Sequence, residues 1–169
     1  MVSRTAIFST AVSAAVIAFA PQAVADNSDY ALNGTYSVVS NGEWAKVNER
    51  YEDKPTVRSE WTVSTTCSTP ASCTGTVTSS LGWTETIYTT SGRNWYVRHA
   101  VPNWIPCPDG TTAPGVQVYR FHQETGVVPG GGDTPGVLVG EDVTTGESGN
   151  CGRNTSLVLN LPVKLTRIG

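Results

Sequence analysis

Apolar side chains in this chain alternate with polar ones. Beyond Tyr30 no stretch holds them at helical spacing, whereas runs rich in Thr, Val, Ser and aromatic residues repeat with period two. Thr56–Ser64 sets Val57, Trp61 and Val63 on one face with Ser59, and Arg58, Glu60 and Thr62 on the other. Thr74–Ser80 turns Val77 inward and Thr74, Thr76 and Thr78 outward. Trp83–Thr90 pairs Trp83 with Ile87, and Asn94–His99 pairs Trp95 with Val97. Turns at Leu81-Gly82 and Ser91-Gly92 make these four strands a meander.

Before the meander, Leu32–Ser40 predicts a first strand bearing Tyr36 and Val38. Asn41-Gly42 predicts a type I′ hairpin returning through Glu43–Asn48 with Trp44, and Glu49–Pro55 a charged loop. After it, Val101–Pro114 is a proline-rich loop, and strands follow at Gly115–His122, Gly136–Val143 and Thr155–Ile168. Pro162 is expected to bend the last strand or place it at an edge. Gln123–Pro135, with its glycine run, is expected to be an exposed loop. About nine short antiparallel strands and no helix predict a single all-β domain, a closed or nearly closed β-barrel in preference to a two-layer sandwich.

The N-terminus adds a location. Arg4, the apolar run Ala6–Ala20 and Ala23-Val24-Ala25 form a signal peptide over residues 1–25, leaving 26–169 as one exported domain. The apolar run, about fifteen residues, is short of the roughly twenty that span a bilayer. No second such run follows, so no integral span is expected after cleavage, and the product is placed in the cell envelope or the medium. A formal net charge of −3 with scattered Lys and Arg offers no basic stripe for nucleic acid. The four cysteines, all in the exported part, predict two disulfides. Of the three possible pairings, Cys67–Cys73 across the STPAS loop with Cys107–Cys151 is favoured.

Candidate chemistry is sparse. Glu60 and Glu85, each close to a Trp, would give an extracellular hydrolase its paired carboxylates if the fold brought them together. Gly146-Glu147-Ser148-Gly149 superficially resembles the surroundings of a serine nucleophile, but His99 and His122 lack triad context and the bland reading is a turn beside a disulfide. Asp133, Glu141, Asp142 and Glu147 have no calcium-loop spacing, and the cysteines have no zinc spacing, so no metal or cofactor is expected. The five Trp residues read first as core and second as the wall of an apolar ligand pocket. Trp104, in the proline-rich loop, is expected to reach solvent and contact a ligand or partner.

Several of these segments together resemble a group of small exported proteins of mycobacteria and their relatives. They are Asn41-Gly42-Glu43-Trp44-Ala45, Trp61-Thr62 leading to Cys67, Gly82-Trp83, Asn103-Trp104 leading to Cys107-Pro108-Asp109-Gly110, and Gly146–Gly152. The resemblance implies export and no assigned activity. Gly34-Thr35-Tyr36 and Arg167 are similar to the opening strand and closing basic residue of lipocalin-type barrels, a likeness of fold only. The resulting expectation is a non-catalytic binding or interaction protein, holding an apolar small molecule or an envelope component. A structural or host-facing protein with no small ligand is one alternative; the hydrolase is the other.

Overall fold

The computed structural model describes residues 27–125 and 133–169. The signal peptide expected over residues 1–25 and the glycine run at 126–132 lie outside the described residues. Among the described residues, ten strands form one antiparallel sheet. They are β1 (Gly34–Ser40), β2 (Lys46–Val47), β3 (Arg50–Tyr51), β4 (Val57–Thr69), β5 (Ser72–Ser79), β6 (Trp83–Thr89), β7 (Trp95–Pro106), β8 (Thr112–Thr125), β9 (Asp133–Gly146) and β10 (Leu157–Arg167). Eight of them close into a barrel in the order β1-β4-β5-β6-β7-β8-β9-β10, with β10 pairing back onto β1. The β2–β3 hairpin hangs on β10 outside that ring. Closure gives every strand of the ring a neighbour on both sides, and every other residue of a strand points inside.

The inward set explains why these residues form this barrel. Trp61 and Val63 on β4, Val77 on β5, Ile87 on β6, Val97 on β7, Phe121 on β8 and Leu165 on β10 are all at most 3 % exposed. Trp61 sits among them at 0 % exposure, packed edge-on to Trp83 and Tyr119 with ring centroids 5.3 and 4.8 Å away. Phe121 is a third ring, at 6.2 Å. Burying rings of this size contributes the largest single apolar terms to the core, and offset or edge-on packing adds about 0.5–1.5 kcal/mol per pair.

One end of the barrel is closed and dry. There Leu32 caps the end, its N–H and carbonyl both bonded to the buried Thr65 hydroxyl. Cys67 and Cys73 face each other in register on β4 and β5 and are bridged. The Arg167 guanidinium packs over Gly34, within 3.0–3.2 Å of where a Cβ would stand. The second disulfide, Cys107–Cys151, lies at the opposite end and ties the β7–β8 turn to the β9–β10 connection.

Several local expectations change. The stretch Val101–Pro114, expected as a proline-rich loop, is mostly strand, with β7 running to Pro106 and β8 beginning at Thr112. Asn41-Gly42 is no hairpin: the Asn41 side chain accepts the Glu43 N–H and caps a 3-10 turn at Gly42–Trp44, from which the chain continues alongside β10. The tight reversal comes later, at Asn48 and Glu49, both with positive φ (45° and 67°), the signature of a type I′ turn. Trp44 therefore points outward and is 60 % exposed, where a core position was expected. Pro162 neither ends nor edges β10. Its carbonyl accepts the Asn41 N–H, so its donor-less nitrogen faces the same side, where the neighbour changes from β1 to β2 and the ladder is already broken.

Truncating the central ring should therefore damage the whole fold. Trp61→Ala is expected to lower stability by about 3–5 kcal/mol in urea unfolding; a loss under 1 kcal/mol would mean that the interior is not organised around it.

Candidate functional site

Above Trp61 the barrel interior changes character. The core gives way to a mouth of about 360 Å³. Its wall follows from register. His99 on β7 stands opposite Gln117 on β8, which stands opposite Thr144 on β9 and then Leu159 on β10. One rung deeper the same sequence of strands presents Val97, Tyr119, Asp142 and Leu161. Val57, Leu81, Trp83, Val101 and Trp104 complete the lining. The volume lies in the range of small-molecule sites, and the lining has their usual composition, mostly apolar and aromatic with a few polar groups.

Asp142 is the unusual group. It is 1 % exposed, and its two carboxylate oxygens accept from the Ser40 hydroxyl at 2.7 Å and the Gln117 amide at 2.8 Å. Both donors are neutral, and among the described residues no Lys or Arg forms an ion pair with it. Burial holds its carboxyl above the ordinary carboxylate range, against the opposing pull of the Ser40 and Gln117 hydrogen bonds. Burial, and then the adjacent Asp142, raise the Tyr119 hydroxyl far above its usual value, so it stays protonated.

The second polar feature lies at a seam. β6 and β7 are paired only through Ile87–Val97 and Tyr88–Tyr96, so the ladder stops before the rim. Beyond it side chains bridge the gap: Glu85 Oε1 lies 3.2 Å from His99 Nδ1, and the His99 ring stacks on Trp83 at 4.8 Å. Trp83 in turn stacks on Tyr119 at 6.2 Å, so an aromatic wall runs from the seam down to the floor.

Trp104 does not project into solvent. Its indole lies flat against β8 and β9, where a Cβ on Gly115 or Gly146 would stand 2.7 and 3.1 Å from the ring. Only glycine leaves that seat free. The ring is half-buried and separates the mouth from a neighbouring cleft of about 190 Å³ lined by Val47, Lys54, Leu157 and Leu159.

The remaining candidates are not assembled. Glu60 lies on the outer face of β4, whereas Glu85 faces the interior of β6, so the paired carboxylates required of a glycoside hydrolase are not formed. Glu141 faces outward and pairs with Arg120 at 2.9 Å, the opposite side of β9 from Asp142, and the Asp133 side chain lies outside those described. His122 is exposed on the outside of β8. Among the described residues no group of three or more His, Cys, Asp or Glu side chains is placed to hold a metal ion.

Fold and mouth together define an antiparallel β-barrel with one closed end and one open, aromatic-lined end. A family description, the PknI serine/threonine-protein kinase sensor domain, matches residues 28–169, and the chain belongs to that family. Among solved structures it is similar to the monomer form of the Mycobacterium tuberculosis PknI sensor domain. The two are 19 % identical with a TM-score of 0.57, over 82 % of this chain and 88 % of that one. No curated protein matches the chain.

Asp142 sets a pH signature. With a raised native value the folded state holds its proton more tightly than the unfolded chain does. Its contribution is therefore full below the unfolded carboxyl value and is lost as pH rises through the native one. Urea unfolding at a series of pH values should show this fall in the native protein, and Asp142→Asn should lack it and be the more stable of the two at neutral pH. A variant less stable at neutral pH would show that the carboxylate is net stabilising.

Proposed function

We propose that this chain is a sensor barrel without catalysis of its own, facing outward in the envelope and binding a small apolar or amphiphilic ligand in its mouth. One observation carries the reading: the core stops at Trp61, and above it lies an open, aromatic-walled space with a buried carboxylate at its base. A barrel whose sole task was stability would gain by filling that space and replacing Asp142 with an apolar side chain. Two further facts support it: membership in a family of kinase sensor domains, and disulfides at both ends, which belong to an oxidising compartment.

A surface-interaction reading rests on a different place. Trp44 and Tyr51 are 60 % and 69 % exposed and pack edge-on beside a cleft of about 320 Å³ on the outside of the barrel, under the β2–β3 hairpin. Exposed rings of this kind are characteristic of protein contacts.

Native mass spectrometry of the protein exported by its own host separates the two. A retained adduct, lost on activation and absent from Trp104→Ala, is the expected result. A bare mass at every gentle setting, together with unchanged tryptophan fluorescence on adding a neutral apolar probe such as 1-hexanol, would remove the mouth as a ligand site and favour the Trp44–Tyr51 face.

A further inference from the structure

We propose that the mouth selects an organic cation, an amine or quaternary ammonium group carrying a short apolar chain; this rests on the reading of the mouth as the ligand site. The argument begins with what lines it. Asp142 is nine-tenths or more buried at the base, held by the two neutral donors Ser40 and Gln117, and among the described residues no Lys or Arg forms an ion pair with it. Around it stand the rings of Trp83, His99, Trp104 and Tyr119, and among the described residues no Lys or Arg contributes to the lining. The basic residue of the adjoining cleft, Lys54, lies beyond Trp104 and has its ammonium paired with Glu52.

Each ligand charge type meets this wall differently. An anion would face a carboxylate and the negative faces of the rings, which is repulsive on both counts. A neutral ligand would gain apolar burial and leave the buried carboxylate as it was. A cation gains from the ring faces and from Asp142 together, and it supplies the countercharge that the carboxylate lacks. The chain of such a ligand has apolar side chains beside it within the mouth itself, Leu81, Val101 and Leu159.

Three ligands with the same six-carbon chain and different heads test this on the full exported protein: hexyltrimethylammonium, 1-hexanol and hexanesulfonate, each titrated against tryptophan fluorescence. The expected result is binding of the cation at least about tenfold tighter than the alcohol, with no saturable response to the sulfonate. Asp142→Asn should bring the cation down to the level of the alcohol and leave the alcohol unchanged. Trp83→Leu, at a half-buried position on the upper edge of the core, should weaken the cation more than the alcohol and serves if the first variant fails to fold. Equal affinities for cation and alcohol in the native protein would overturn the cation inference while the mouth stands as a ligand site. A cation preference that survives both Asp142→Asn and Trp83→Leu would overturn it as well. No response to any of the three would remove both the inference and the reading beneath it.

Discussion

The structure depends on where Trp61 stops. Its ring fills the barrel's cross-section between Tyr119, Phe121 and Trp83, and below it lie buried apolar side chains, Val63, Val77, Ile87, Phe121, Leu138 and Leu165, with the hydroxyls of Thr65 and Thr89. Above it the same strands, with the same alternation, present Asp142, Gln117, Glu85 and His99. Packing therefore divides one continuous sheet into a part that supplies stability and a part that is free to carry charge. A carboxylate as buried as Asp142 persists only because the dry half beneath it offsets the cost.

Much of the architecture was legible in period-two alternation. The parity of Val57, Trp61 and Val63 on β4, of Trp83 and Ile87 on β6 and of Trp95 and Val97 on β7 is the parity found. The Asn41-Gly42 signal failed because a turn dipeptide names a reversal only when the following segment has the neighbouring strand as partner. Here β1 is flanked by β4 and β10, and Gly42–Trp44 steps past them. Trp44 went with that error, its ring following the displaced backbone to the outside.

The site was harder to see, and β9 shows why. Val137, Val139 and Val143 share one face of Gly136–Gly146, and Leu138, Gly140, Asp142 and Thr144 share the other. Composition favours the valine face as the interior, yet Leu138 is the 3 % exposed residue and the valines are only half-buried. The glycines sit inside because neighbouring elements approach closely there, and the carboxylate because the mouth tolerates it. The packing of Trp104 was hidden for a related reason. A Trp amid prolines reads as exposed unless one knows that Gly115 and Gly146, distant in sequence, leave it a flat seat.

The pairing that closes the ring has a consequence for orientation. Thr35 donates its N–H to the Gly169 carbonyl, and Tyr36 stands opposite Arg167, so both ends of the described chain emerge side by side at the dry end. The mouth, at the same end as the Cys107–Cys151 bridge, is at the other pole. A tether joined at either end would hold the barrel like a cup on a stalk, open side away from its attachment. Whatever enters it would arrive from the surroundings, without passing the point of anchorage.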